Sequence, residues 1–245
     1  MASSPCVIHS GPNSVPISPP PRRGSPRTPP SNRSLACTRA CVCEARHGIV
    51  IPAAAGTRRR RERVQDDPAP ASRGHDECLR GNIAAQPGID AVVNAANGEL
   101  RTGGGVAGAI HRAAGPGLEA ECRPLAPIRP GQAVITGAHN LPNRHVIHCL
   151  GPVYGRDEPA GALLAACYRN ALALAERQGL TSVAFPAIST GVFGYPMEEA
   201  ARVALGAVIG ELPNLTSVTF IRFVLYAAGD ESTHARVLDE LLPAP

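Results

Sequence analysis

Near residue 75 the pattern of hydrophobic and polar positions changes character. Downstream, short runs rich in Val, Ile and Phe, bounded by Gly, Pro or Asn, alternate with longer stretches whose apolar residues recur at helical spacing. The runs at 91–93, 133–136, 145–150, 182–187 and 218–226 predict strands, and the stretches at 106–114, 161–178, 197–211 and 232–242 predict helices. In the second helix Leu163, Leu164, Cys167, Ala171, Leu174 and Ala175 form the apolar stripe. Pro196, just ahead of the third, suits a first-turn position. Several strands are apolar without alternation, which predicts that both faces are covered. Strands and helices in this order indicate an α/β fold with a mixed, mostly parallel sheet between helices.

Upstream the texture differs. Residues 1–74 hold 12 of the 25 prolines and 12 of the 24 basic residues, all arginine, against four acidic ones. A segment so poor in apolar periodicity cannot offset its ordering entropy, so a disordered Arg/Pro-rich leader is expected over 1–74 and one domain over 75–245. The basic excess attracts nucleic acid in principle, but the leader lacks interleaved aromatics and no nucleic-acid partner is expected. Ahead of Glu44 it is rich in Ser and Arg and free of acidic residues, as transit peptides are, yet its proline density opposes the amphipathic helix they form. A cytoplasmic location is expected. Cys37, Cys41, Cys43 and His47 are metal-ligand types, but they match no C-x2-C pair and read as loose thiols. The eight cysteines are irregularly spaced and are expected to be reduced. No apolar stretch approaches the ~20 residues of a membrane span, so no membrane association is expected, and the protein is expected to be a monomer.

Two glycine-containing loops carry the candidate chemistry. One is Asn97-Gly98-Glu99-Leu100-Arg101-Thr102-Gly103-Gly104-Gly105-Val106, the other Ser189-Thr190-Gly191-Val192-Phe193-Gly194-Tyr195-Pro196. Each follows a predicted strand and leads into a predicted helix, where free backbone N–H groups and the helix dipole favour an anion. Three successive glycines let the backbone approach a ligand that any Cβ would obstruct. Neither loop fits a dinucleotide fingerprint or a P-loop. Two such loops can grip a diphosphate from both sides.

The block Val92-Val93-Asn94-Ala95-Ala96-Asn97, the glycine triplet, and Ala109-Ile110-His111-Arg112-Ala113-Ala114-Gly115 together resemble the macrodomain family. So do Val146-Ile147-His148 before Gly151-Pro152, Leu164-Ala165-Ala166-Cys167-Tyr168-Arg169-Asn170, and Ala184-Phe185-Pro186-Ala187-Ile188 running into the second loop. These segments look like the family's MacroD-type hydrolase branch, which includes O-acetyl-ADP-ribose deacetylases. The resemblance implies a three-layer α/β/α sandwich binding ADP-ribose at the strand ends, with no cofactor and no metal. It implies that Asn97 bonds the distal ribose and is the catalytic residue. Gly103, Gly104, Gly105 and Val106 would line one side of the diphosphate and distal ribose, and Ser189, Thr190, Gly191, Val192 and Phe193 the other. Asn82 and Ile83 would meet the adenine. Tyr226 is either an aromatic against adenine or a core residue.

Two positions depart from the branch. Asn82 stands where Asp is usual, and it keeps an acceptor oxygen without the charge. Ala107, ten residues after Asn97, stands where an Asp is thought to position water, and a methyl group cannot do so. Two functions follow. One is hydrolysis of ADP-ribosyl esters, either O-acetyl-ADP-ribose or mono-ADP-ribosylated acidic side chains, through a water held by the ligand's own phosphate. The other is a reader that binds ADP-ribose or ADP-ribosylated protein without turnover. His111 is read as structural rather than as a general base, His148 as a buried strand histidine, and Cys149 and Cys167 as core thiols.

Overall fold

The computed structural model describes residues 49–50 and 78–242. The expected leader, with its Cys37, Cys41, Cys43 and His47 group, lies outside the described residues except for one short piece. That piece is strand β1, Ile49–Val50. The remaining strands are β2 Cys78–Arg80, β3 Ala91–Ala95, β4 Ala133–Gly137, β5 His145–Cys149, β6 Ser182–Phe185 and β7 Phe220–Leu225. The helices are α1 Gly105–Ala114, α2 Pro116–Cys122, α3 Ala160–Arg177, α4 Met197–Glu211 and α5 Ala228–Leu241.

The strands form one mixed sheet in the order β1-β7-β6-β3-β5-β4, with β2 also paired to β7. Pairs β2–β7, β7–β6, β6–β3 and β3–β5 are parallel, and only β1 and β4 run against the rest. Alternate residues of the parallel strands enter two separate cores, as the period of two requires. Ala91, Val93, Ile147, Val183, Phe185 and Phe223 face α3, α4 and α5, while Val92, Val146, Ala184 and Val224 face α1 and α2. The result is the expected three-layer α/β/α sandwich.

The expected elements appear with small shifts at their ends. The last helix begins at Ala228 rather than 232, and the strands expected at 182–187 and 218–226 are shortened to β6 and β7. Helix α2 and strand β2 were not predicted, since neither is long enough to show a period. Among the described residues no helix is long and apolar enough to cross a membrane.

Candidate functional site

Strands β2, β3, β6 and β7 are parallel, so their carboxyl ends lie along one edge of the sheet. Asn82 and Ile83 follow β2, the first glycine loop follows β3, the second follows β6, and Tyr226 follows β7. Strands β3 and β6 are hydrogen-bonded neighbours, with Ala91 opposite Val183. Their loops therefore leave from points about 4.8 Å apart and flank one crevice at the strand ends, where ligands of open α/β sheets bind.

The first loop is shaped from within. Asn97 donates from Nδ2 to the Arg101 carbonyl at 2.8 Å and accepts at Oδ1 from the Arg101 N–H at 3.0 Å. Leu100, in the left-handed region at φ 54°, buries its side chain and anchors the loop to the core. The loop then opens into exposed Gly103 and Gly104, and Gly105 starts α1 with φ 54°, where glycine carries no Cβ penalty. Helix α1 has no side-chain cap and no acidic residue in its first turn. Its leading N–H groups and positive dipole end are thus open to an anion. Gly108 was not singled out by the sequence. A Cβ there would lie 2.3 Å from the Gly103 carbonyl oxygen, so its bare Cα lets the loop rest directly on α1.

The second loop is held differently. Ser189 is buried with φ 68°, and its Oγ has no hydrogen-bond partner. The loop closes through Gly194 N–H to the Gly191 carbonyl (2.9 Å) and Tyr195 N–H to the Ser189 carbonyl (3.0 Å). Thr190 Oγ1 donates back to the Ala187 carbonyl at 3.0 Å. Tyr154 N–H bonds the Phe193 carbonyl at 2.9 Å, and Phe193 packs against the α1-side core. Val192 stands almost fully exposed at the loop tip. Gly151, the second glycine the sequence reading passed over as a contact, would place a Cβ 2.1 Å from Ser189 Oγ and 2.6 Å from Ile188 Cγ2. The two loops are not equivalent at their helix ends. Glu198 and Glu199 occupy the first turn of α4, so the anion-favouring helix start belongs to α1 alone of the two.

Around this crevice, Asn82 Oδ1 accepts from the Ala84 N–H at 3.0 Å, and Ile83 buries its side chain in the α1-side core, leaving only its backbone for a ligand. Tyr226 is 91% exposed, which removes the core-aromatic alternative. Ala107 lies in the first turn of α1, and its methyl is 3.9 Å from where a Cβ on Gly103 would be.

His111 does not face the crevice. It is buried, its ring centroid is 6.3 Å from that of His148, and desolvation holds its pKa below the usual value although Glu119 opposes the shift. His148 Nδ1 lies 3.1 Å from Asn94 Nδ2 and its Nε2 2.9 Å from Thr136 Oγ1, and burial, aided by His111, pushes its pKa down to about 3. A histidine so placed is neutral across the physiological range. Cys149 and Cys167 are buried thiols that donate to the carbonyls of Cys167 and Leu150. Cys122, unremarked in the sequence, joins the two histidines, with Sγ 3.6 Å from His148 Nε2.

Comparison with known proteins agrees with this fold. The family model described as Macro domain matches residues 93–204. A macro domain-containing protein of Streptomyces coelicolor is 49% identical over 156 residues, 61% of this chain and 90% of its own length. One from Ralstonia nicotianae is 49% identical over 164 residues, covering 66% and 93%. Among solved structures, an Oceanobacillus iheyensis macrodomain with ADP superposes with TM-score 0.64 at 40% identity, covering 66% of this chain and 89% of that one. A Trypanosoma brucei macrodomain in complex with ADP-ribose gives TM-score 0.60 at 39% identity, covering 64% and 66%.

Proposed function

The chain belongs to the Macro domain family, and from that premise we propose that it binds ADP-ribose in the crevice between its two glycine loops and hydrolyses ADP-ribosyl esters. One observation carries the binding: the uncapped, acid-free start of α1 beneath Gly103, Gly104 and Gly105, facing the loop that contains Ser189 across neighbouring strand ends. A diphosphate seated there receives the N–H groups that α1 leaves open. The Oceanobacillus and Trypanosoma structures, holding ADP and ADP-ribose, support this ligand. Tyr226, exposed at the end of β7, is free to lie against the adenine, and Asn82 keeps an oxygen lone pair for its amino group. Phe193 and Asn97 would bracket the distal ribose.

In the hydrolysis, water adds to the ester, the C–O bond breaks, and ADP-ribose and a carboxylic acid leave. Ala107 offers no group to take the water's proton, so this chain's contribution is placement. Asn97, already fixed by two bonds to Arg101, orients the ribose, and the α1 start holds the phosphate against which a water can sit. Placement alone accounts for a large part of many enzymatic accelerations. A second reading rests on the same alanine: without a carboxylate at 107 the crevice is a reader that releases its ligand unchanged.

Single-turnover release of ADP-ribose from a protein modified on acidic side chains separates the two. Turnover by the natural chain that Asn97→Ala abolishes supports the hydrolase. Binding without turnover, with turnover gained only in Ala107→Asp, would establish the reader.

A further inference from the structure

Behind Asn82 runs a short chain of polar contacts that ends on β7. Asn82 turns the backbone out of β2: its Oδ1 accepts from the Ala84 N–H at 3.0 Å, and its carbonyl accepts from the Ala85 N–H at 3.0 Å. The same carbonyl takes a second bond, from Gln86 Nε2 at 2.9 Å. Gln86 is only 5% exposed, an uncommon place for a glutamine. Asn143 Nδ2 holds its main-chain oxygen at 2.8 Å, and its Oε1 accepts from Arg222 Nη1 at 3.3 Å. The Gln86 amide fits one way round, because the Asn82 carbonyl can only accept and the guanidinium can only donate.

Arg222 is committed to this contact. Its guanidinium lies 5.1 Å from the centre of the Phe220 ring, its Nε is buried without a partner, and among the described residues its side chain bonds only Gln86. A cation on one side of an amide polarises it and strengthens the N–H on the other, since linked hydrogen bonds reinforce one another. Strand β7 thus ties down the Asn82 turn twice. The Leu225 carbonyl accepts the Gly81 N–H at 2.8 Å, just before Asn82, and Arg222 reaches the Asn82 carbonyl through Gln86. Tyr226 follows Leu225 directly, so one strand sets both the turn and the exposed ring.

We propose that Gln86 and Arg222 are positioning residues that make the site selective for adenine, on the reading given above that adenine lies at Asn82. An Asp at 82 could only accept a hydrogen bond. An Asn amide can accept or donate, so it reads an amino group only while its oxygen is locked toward the base. The lock is the Ala84 N–H on Oδ1, which exists only while the turn keeps its shape. Gln86 keeps that shape from below, and Arg222 keeps Gln86. Neither touches the nucleotide. Without them the turn relaxes, the Asn82 amide is free to rotate, and a base carrying a carbonyl is received as well as one carrying an amino group.

The test compares ADP-ribose with inosine diphosphate ribose, whose base has a carbonyl oxygen in place of the amino group, by calorimetry on the full chain beside a thermal melt. The parent should favour ADP-ribose by about tenfold, roughly the net worth of one hydrogen bond, and Asn82→Ala should erase that preference. Gln86→Leu should erase it too, by weakening ADP-ribose while leaving the inosine compound unchanged or tighter. Gln86→Glu keeps an acceptor for Arg222 but sets a second acceptor against the Asn82 carbonyl, so the preference should be lost although the tie to β7 remains. Arg222→Leu should give an intermediate ratio. A purely structural role would weaken both compounds alike or lower only the melting temperature, and either result in both Gln86 variants would overturn the proposal. A preference lost in Asn82→Ala and intact in both Gln86 variants would overturn it while sparing the Asn82 reading. A parent that binds the two compounds alike, or binds neither, would remove adenine from Asn82 and overturn reading and proposal together.

Discussion

Replacing Gly108 by alanine should disable ligand binding while leaving the protein folded. The new Cβ would lie 2.3 Å from the Gly103 carbonyl oxygen and 3.3 Å from its carbonyl carbon. An ordinary carbon–oxygen contact needs about 3.4 Å, so the Gly103 peptide must retreat by roughly 1 Å. The obstacle is backbone, unlike Arg112 Nη1, also within reach at 2.9 Å, which can swing aside. Overpacking of this kind costs about 1–3 kcal/mol, and the exchange of glycine for alanine inside a helix returns about 1 kcal/mol. The melting temperature should therefore fall by only a few degrees. Affinity should suffer far more, because a ~1 Å displacement of positioning groups commonly costs about 100-fold, or about 2.7 kcal/mol. Calorimetric titration with ADP-ribose beside a thermal melt reads both quantities. Gly206→Ala is the control: it lies on the exposed side of α4 with nothing within 4 Å of its added methyl. It should gain about 0.5–1 kcal/mol of stability without changing affinity. Undiminished ADP-ribose affinity in Gly108→Ala would refute the claim that the loop is seated on α1 through that bare Cα.

Three further outcomes are expected. Tyr226→Ala should leave stability within about 0.5 kcal/mol, because the ring is exposed, while weakening ADP-ribose by about 1–3 kcal/mol if it stacks on adenine; equal affinities in calorimetry would remove Tyr226 from the site. Gly151→Ala drives a methyl into Ser189 Oγ and Ile188, so both melting temperature and affinity should drop, and a variant that melts as the parent does would contradict the packing described. Burial alone would raise the Glu176 pKa, but the Thr216 hydroxyl and the N–H groups of Thr216, Ser217 and Val218 lower it to about 2. A carboxylate depressed on folding adds stability above its unfolded pKa, so the gap between the natural chain and Glu176→Gln in urea unfolding should be constant above about pH 5 and shrink from about pH 4.5 toward 2. A gap that widens on acidification would show that the anion is not what those donors hold.

The sheet and its helices could be read from the chain because buried parallel strands are apolar without interruption and α3 carries a full helical stripe. Asn97, the glycine triplet and the Ser189 loop were visible for a similar reason, as contiguous stretches with a common backbone purpose. Gly108 and Gly151 were not, since each matters only through a contact with another segment: α1 under Gly103, and the end of β5 against Ser189. His111, Cys122 and His148 are likewise spread over two helices and a strand, and no local spacing signals that they meet. Tyr226 showed the opposite limit. Its position after an apolar strand suited a core ring as well as a ligand contact, and only exposure decided between them.

Helix α1 has Gly104 at its N-cap, a residue with no side chain to bind its first N–H groups. Whatever anion enters the crevice finishes that helix. A glycine cap gives up only about a few tenths of a kcal/mol against a capping side chain, so a small part of the affinity is the free energy of ordering one helical turn. In the free protein the amide hydrogens of Gly105, Val106 and Ala107 should exchange quickly with deuterium, and in the complex they should be protected. Affinity and local folding are then two readings of a single equilibrium, and a substitution that caps α1 from within, such as Gly104→Asp, would stabilise the chain and weaken its ligand by the same act.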